Sequence, residues 1–216
     1  MFHNRLVRSS GRGSAVARRL GPRRAPRFNR IIGILLTTVV TTVVAATMTG
    51  QPAYATSPGK IKNYRSAMCL QPVPDSFQSI FANGVRIAQM PCDGSTAQLW
   101  RTVLLGQGRN PLFSCSFSCP EISPERYYYV INDLTGLCMD VRDASTANGA
   151  VIQQFACNGG GSEKWFKHTD GSGRPQYVNA RTAKCLDVPY ATTSASYIWQ
   201  YRCTAFNEAQ EFTFPL

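Results

Sequence analysis

Two aspartates occupy nearly identical positions in the sequence, and their carboxylates could bind hydroxyl groups. Asp140 lies in "LCMDV" (137–141) and Asp187 lies in "KCLDV" (184–188). A carboxylate has two acceptor oxygens, so it can accept charge-assisted hydrogen bonds from neighbouring hydroxyl groups of a ligand. An aspartate that leaves a strand can instead cap the following turn through its own backbone. A ligand contact and a turn cap are therefore the two interpretations of this repeated aspartate.

The two aspartate segments belong to a pattern that occurs three times in the chain. In each copy an asparagine stands six residues before a first cysteine, a second cysteine follows, and a polar residue, a spacer and an aromatic close the copy. The asparagines are Asn63, Asn132 and Asn179; the cysteines are Cys69 and Cys92, Cys138 and Cys157, Cys185 and Cys203; the closing aromatics are Trp100, Trp165 and Phe212. Landmarks kept in one order three times predict an internal repeat, with copies at about residues 59–104, 125–169 and 174–216.

The segments between these landmarks have the composition of short strands. Examples are "AVIQQF" (150–155) and "SYIWQY" (196–201), which turn residues such as Asn148 and Gly149 separate from their neighbours. We find no convincing amphipathic helix. Three copies are too few for a propeller, which needs about four or more blades. The pattern therefore predicts an all-β fold with threefold symmetry, in which each copy contributes a few strands and one large aromatic to a shared core.

The amino-terminal segment has the composition of an export signal. The first thirty residues contain nine arginines and no acidic residue, an apolar run follows from Ile31 to Met48, and small residues stand at Ala53 and Ala55. These parts predict a secretory signal peptide at residues 1–55, and hence an extracellular protein with no stable membrane span after cleavage. The alternative is an uncleaved membrane anchor, because the apolar run approaches the length that spans a bilayer.

The net charge of the chain comes mainly from that predicted signal. The full sequence has 23 Lys and Arg against 12 Asp and Glu, a net charge of +11. Without the nine arginines of the leader the balance is 14 against 12, or +2. The high pI therefore gives no support for nucleic-acid binding, and we expect no nucleic-acid partner.

All eight cysteines lie beyond the predicted signal, and an even number in an exported chain favours disulfides. Cys115 and Cys119 lie in an insertion at about residues 105–124, and we expect them to close a small loop by a disulfide. Half of a zinc site is the alternative, but a second pair of ligands is absent and His168 is the only histidine after residue 55. We therefore expect neither a metal nor a cofactor.

The repeated Cys-Leu-Asp-Val segment and the Gln-X-Trp closings resemble the ricin-type β-trefoil lectin domain, which is also the carbohydrate-binding module of secreted bacterial xylanases. The resemblance covers about residues 59–216 and implies a β-trefoil over residues 56–216. It also implies one disulfide within each copy, which would close a loop of about 20 residues and contribute a few kcal/mol. The implied pairs are Cys69–Cys92, Cys138–Cys157 and Cys185–Cys203.

In this family an aspartate after the Cys-Leu pair, a glutamine and an aromatic before the second cysteine, and an asparagine before the closing motif form the sugar pocket. In the second copy the residues at these positions are Asp140, Gln153, Phe155 and Ser162. In the third copy they are Asp187, Trp199, Tyr201 and Ala209. Ser162 and Ala209 depart from the usual asparagine. Trp199 stands where glutamine is usual, so it either adds an aromatic platform or blocks the pocket.

The first copy has lost the groups that the resemblance assigns to sugar binding. Gln71 replaces the aspartate, Ala88 the glutamine and Met90 the aromatic. Its cysteines and Trp100 remain, so we interpret this copy as scaffold.

These residues predict a secreted lectin that binds glycans or polysaccharides, with galactose- and xylose-type sugars as the expected ligands and no catalysis. An enzyme has little support, because His168, the one candidate histidine base, stands in the probable turn "KHTDGSG" (167–173). Paired carboxylates can hydrolyse glycosides, but the pockets already explain the acidic residues in repeated positions. A further alternative is a β-trefoil that binds protein, such as a secreted protease inhibitor that acts through the 112–124 loop.

Overall fold

The computed structural model describes residues 55–113 and 123–215. Within these two ranges the chain forms antiparallel strands and short 3-10 turns, without an α-helix. The strands are β1 (Gly59–Lys60), β2 (Cys69–Val73), β3 (Arg86–Met90), β4 (Leu99–Gly108), β5 (Glu125–Asn132), β6 (Cys138–Val141), β7 (Ala150–Phe155), β8 (Lys164–Thr169), β9 (Pro175–Asn179), β10 (Lys184–Asp187), β11 (Ser196–Tyr197) and β12 (Trp199–Arg202). The 3-10 turns are Thr96–Gln98, Pro111–Phe113, Arg142–Ala144, Gly161–Glu163 and Pro189–Ala191. Across the described residues we find no helix with the length and apolarity to cross a membrane.

Each copy contributes one hairpin that joins its two cysteines. These hairpins are β2–β3, β6–β7 and β10–β12. They also contact one another, because β3 pairs with β7, β7 pairs with β12, and β11, the short strand just before β12, pairs with β3. The three hairpins therefore close a triangle, which agrees with the predicted threefold symmetry.

The other strands connect one copy to the next. β1 pairs with β4, β4 with β5, β5 with β8, β8 with β9, and β9 with β10. The β4–β5 hairpin is the longest, running from the Trp100–Asn132 pair to the Gly108–Glu125 pair with a bulge between Leu104 and Gly106. Part of the segment expected as an insertion at 105–124 is therefore the end of this hairpin.

The repeated asparagine fastens each copy to the end of another. The Nδ2 group of Asn132 donates to the Ala97 carbonyl (2.8 Å), and its Oδ1 accepts from the amide of Thr135 (3.2 Å). Asn63 and Asn179 make the same bonds, and their Nδ2 groups donate to backbone carbonyls of another copy at 2.9 and 2.8 Å. Since all three asparagines are buried, these bonds satisfy backbone groups that water cannot reach.

The closing aromatics fill the shared core, as the sequence predicted. Trp100, Trp165 and Phe212 are all 0% exposed and pack in one apolar cluster. The indole N–H of Trp100 donates to the Leu70 carbonyl (2.8 Å), and that of Trp165 donates to the Met139 carbonyl (2.9 Å). Each tryptophan thus fixes the strand that begins with its own first cysteine.

The disulfide pairing implied by the family resemblance is confirmed for the three copies. Cys69–Cys92, Cys138–Cys157 and Cys185–Cys203 are bonded, with Cα–Cα distances of 5.1, 5.3 and 5.0 Å. The expected Cys115–Cys119 bond lies outside the described residues, and so does the predicted signal peptide apart from its last residue.

Candidate functional site

The carboxylate of Asp140 is held in place by side chains of its own copy and of the first copy. Asp140 on β6 lies directly opposite Gln153 on β7, and Gln153 Nε2 donates to Asp140 Oδ2 at 2.9 Å. Arg142 Nε in turn donates to Gln153 Oε1 (2.8 Å), while its Nη2 donates to the carbonyl of Gly84 in the first copy (2.7 Å). Asp140 and Gln153 are only 6% and 5% exposed, so this chain of hydrogen bonds fixes the orientation of the carboxylate.

The aromatic and the turn of the second copy stand beside that carboxylate. Phe155 follows Gln153 by two positions on β7, so both side chains point to the same face of the strand. Phe155 is partly exposed, and a partly exposed ring can stack against the C–H face of a sugar. Ser162, which the sequence placed in this pocket, lies in the 3-10 turn Gly161–Glu163. Its side chain is shorter than that of the usual asparagine.

Glu163 is a residue of this site that the sequence reasoning missed. In the first and third copies the same position is glutamine, and Gln98 and Gln210 donate to Gln71 Oε1 (2.8 Å) and Asp187 Oδ2 (2.9 Å). Ionised Glu163 cannot donate such a bond. The closing motif "EKW", where the other copies have glutamine, was the signal in the sequence.

The surroundings of Glu163 decide its protonation. The side chain is 1% exposed and accepts hydrogen bonds from the amides of Asn158 (3.0 Å) and Gly159 (3.2 Å). Burial raises the pKa of Glu163; these amide bonds lower it in part, and the negative charge of Asp140 raises it again. The negative charge of Asp140 thus adds to burial in disfavouring the ionised form of Glu163.

In the third copy Trp199 takes the place of the glutamine as a hydrogen-bond donor. Asp187 on β10 lies opposite Trp199 on β12, and the indole N–H donates to Asp187 Oδ1. With Gln210 on the other oxygen, both carboxylate oxygens have a donor. Burial nevertheless raises the pKa of Asp187 above its usual value, since the two hydrogen bonds only partly oppose it.

A pocket of about 300 Å³ opens above Asp187, and Trp199 forms one of its walls. Tyr201 is 41% exposed and stacks on Trp199, with ring centroids 5.9 Å apart and an interplanar angle of 28°. Tyr190 contacts Trp199 on another side, at 5.3 Å and 61°. Trp199 therefore lines the pocket and leaves it open, which favours the platform over the blocked pocket.

Two further residues of the third pocket were missed from the sequence. Asn207 lines the pocket, and its Oδ1 accepts from the amide of Ala209 (3.2 Å), the residue at the family's asparagine position. Asn207 therefore places a side-chain amide two positions before the position at which the family pattern has its asparagine. Tyr190 has no counterpart in that pattern, so the sequence gave no signal for it.

The corresponding place in the first copy is apolar. Gln71 lies opposite Ala88, and a pocket of about 250 Å³ nearby is lined by Val73, Ala88, Met90, Ala195, Ser196 and Tyr197. The guanidinium of Arg86 lies 3.6 Å from the centre of the Tyr197 ring. The described residues that line this pocket include no carboxylate.

His168 differs from its expected position. It lies on strand β8, and the turn begins after Thr169, because the β8–β9 pairing continues to the Thr169–Pro175 pair. His168 Nδ1 is 3.1 Å from Glu125 Oε1, and its ring contacts Phe113 edge-on at 5.3 Å. Burial favours a higher pKa for Glu125, but hydrogen bonds from His168 and Asn110 outweigh it and hold the pKa below its usual value.

Among the described residues no group of three or more His, Cys, Asp or Glu could hold a metal ion.

Comparison with known proteins identifies the class. Residues 126–215 match the ricin-type beta-trefoil lectin domain, a range that contains the second and third copies, and this match confirms the resemblance found in the repeated motifs. The structure is similar to the designed threefold symmetric protein ThreeFoil, with 27% identity, a TM-score of 0.57, and coverage of 71% of this chain and 94% of that protein. The fold is therefore an all-β β-trefoil, as predicted.

Two natural proteins share parts of this chain. The exo-beta-1,3-galactanase 1,3Gal43A from Clostridium thermocellum is 25% identical, with a TM-score of 0.59, over 74% of this chain and 30% of its own. The ribosome-inactivating protein PMRIPt from Polygonatum multiflorum is 45% identical over 42 residues, which is 19% of this chain and 7% of that protein. The chain thus spans less than a third of either protein. The family and its lectin neighbours support carbohydrate binding in general.

Proposed function

We propose that this protein is a secreted lectin that binds sugar residues of glycans or polysaccharides in the pockets of its second and third copies. One observation carries the proposal: the same buried carboxylate, oriented by a side-chain N–H donor and followed by an accessible aromatic ring, occurs twice. It occurs at Asp140 with Gln153, and at Asp187 with Trp199.

In each pocket the carboxylate accepts hydrogen bonds from two neighbouring hydroxyls of one sugar. Because Gln153 and Trp199 already fix the carboxylates, little side-chain freedom is lost when a sugar binds. Phe155 and Tyr201 stack on the C–H face of the ring, and the disulfide beside each ring keeps the hairpin closed. This chemistry suits galactose- and xylose-type sugars, in which adjacent hydroxyls and an apolar face are available together.

The proposed activity is binding without catalysis. Asp140 and Asp187 are each oriented by a side-chain donor for hydrogen bonding, and the match to a lectin domain supports binding. Secretion is supported by the signal-like leader and by three disulfides, which persist in oxidising compartments. The protein-binding alternative depends on the 112–124 loop, and residues 114–122 of it lie outside the described part.

A glycan array tests the proposal, with the mature protein and its Asp140→Ala, Asp187→Ala double variant. We expect binding to galactose- or xylose-containing glycans by the parent and a loss of most of that binding in the double variant. Gln71→Ala, at the corresponding position of the first copy, is the matched control and should bind like the parent. Binding by the double variant at the parent level would show that these aspartates are turn caps.

A deletion of residues 112–120 separates the lectin from the protein-binding alternative. A lectin keeps its array signal after this deletion. If the signal is absent in the parent and the intact loop inhibits a protease, the alternative replaces the proposal.

A further inference from the structure

The loop after each pocket aspartate has the same backbone in the second and third copies. Asp143 and Tyr190 each stand three positions after the aspartate, in the 3-10 turns Arg142–Ala144 and Pro189–Ala191. Their φ angles are 57° and 55°, in the left-handed region. Aspartate tolerates this region, but a bulky aromatic there is uncommon and is strained unless the surroundings hold it.

Tyr190 is held in this conformation with its ring in solvent. The side chain is 91% exposed, and the ring packs edge-on against Trp199. Pro189 stands just before Tyr190, and its ring fixes its own backbone φ. A strained backbone that holds an aromatic ring in solvent at the wall of the pocket above Asp187 places that ring where a ligand in the pocket can contact it.

The three rings of the third copy form a corner above Asp187. Trp199 and Tyr201 are nearly parallel, at 28°, whereas Tyr190 is inclined to Trp199 by 61°. A sugar bound by Asp187 can stack on Tyr201 and Trp199, whereas the ring of Tyr190 lies in a different plane. One flat sugar ring cannot stack on rings in both planes, but two linked sugar rings can.

The second copy lacks this corner. Asp143 and Gln153 stand where the third copy has Tyr190 and Trp199, so Phe155 is the counterpart of one ring alone. The two pockets therefore differ in the length of sugar chain that they can contact.

We propose that Tyr190 forms a second stacking subsite, so that the third pocket binds two neighbouring residues of an oligosaccharide while the second pocket binds one. This inference rests on the proposed function. The ligand class of the third pocket is then a linear glycan contacted along its chain.

The test uses the Asp140→Ala background, in which the third pocket alone reports binding. Calorimetry compares Tyr190→Asp, which introduces the residue of the second copy, with the parent of that background. The probes are galactose with a linear galactotriose, and xylose with xylotriose. We expect trisaccharide affinity to fall about three- to tenfold and monosaccharide affinity to stay unchanged, because a single stacking contact is lost.

Phe206→Ala is the matched control, since Phe206 is also exposed (69%) with a left-handed φ of 57° but does not line this pocket. It should change neither affinity. The subsite would be overturned if Tyr190→Asp lowered monosaccharide and trisaccharide affinity equally. It would also be overturned if Tyr190→Asp changed neither affinity while Tyr201→Ala abolished binding. Either result would leave the lectin proposal intact. Absence of binding to both probe families in the Asp140→Ala background would overturn the subsite, whereas absence of binding to both by the protein without any substitution would overturn both proposals.

Discussion

At the scale of single residues, the pockets depend on donors that hold a carboxylate in place. Gln153 does this for Asp140, and Trp199 with Gln210 does it for Asp187. Glu163 breaks the pattern, because it places a second carboxyl where the other copies have an amide. Glu163 in the second copy and Asp187 in the third both have a raised pKa, so both contribute to a pH dependence of stability.

We predict that Glu163→Gln stabilises the protein at neutral pH. The pKa of Glu163 is raised in the folded state, mainly by burial, so its contribution to stability is present below the ordinary carboxyl pKa and is lost as the pH rises through the raised value. Glutamine removes the buried charge and can donate to Asp140 as Gln210 does to Asp187. Thermal unfolding should show a higher Tm than the parent at pH 7 and a much smaller difference at pH 4.

The matched control for this prediction is the reverse change in the third copy. Gln210→Glu should lower the Tm at pH 7 more than at pH 4, because it places a carboxylate beside buried Asp187. Asp187 itself has a raised pKa and adds a pH dependence of the same sign, which Glu163→Gln leaves in place. A Tm difference that is the same at both pH values would contradict the role given to Glu163.

At the scale of elements, each hairpin is closed by a disulfide at one end and is anchored to another copy by the repeated asparagine. Asn132 links the turn before β6 to the segment that closes the first copy, through Ala97 and Leu99 at 2.8 and 3.3 Å. The position of a pocket thus depends on the contact between copies as well as on its own strands.

We predict that Asn132→Ala lowers the free energy of unfolding by about 1–3 kcal/mol, because it leaves buried backbone groups without partners. Urea denaturation measures this change. Asn148→Ala is the control, since exposed Asn148 accepts one hydrogen bond from the amide of Arg202 (3.0 Å), and its loss should stay within about 1 kcal/mol. Equal losses for the two variants would show that the asparagine does not fasten the copies together.

At the scale of the whole molecule, the triangle of hairpins holds the second and third pockets on one body. β7 carries Gln153 and Phe155, β12 carries Trp199 and Tyr201, and these two strands are paired directly. Two sites at a fixed separation can bind one polymer together, and the second contact then forms at a high effective concentration.

We predict that Asp140→Ala acts differently on a monosaccharide and on a polymer. With a soluble sugar, the calorimetric stoichiometry should fall from two sites to one, because a charged hydrogen bond is worth roughly a 10- to 150-fold change in affinity. On an immobilised polysaccharide of the same sugar, apparent affinity should fall by about 100-fold or more, since avidity is lost. A decrease of about twofold on the polymer, as for independent sites, would argue against joint binding.

The sequence by itself determined the repeat, the all-β class and the buried closing aromatics. These features depend on landmarks kept in one order along the chain, so the spacing of Asn132, Cys138 and Trp165 was sufficient to predict them. The pairing of the six cysteines came from the resemblance to the ricin-type family, and the structure confirms it. The resemblance also assigned the two aspartates to the proposed pockets. Each stands directly opposite its donor in the hairpin of its own copy, Asp140 against Gln153 and Asp187 against Trp199.

The tertiary structure alone decided the features that depend on register and on contacts between distant segments. Tyr190 meets Trp199 because of a left-handed turn that no residue in the sequence required, and Arg142 reaches Gly84 only when two copies pack together. His168 ends on a strand because pairing with β9 outweighs the turn residues that follow it. The sequence specifies local order and covalent links, whereas the directions of side chains across strands and copies are set by the closed sheet.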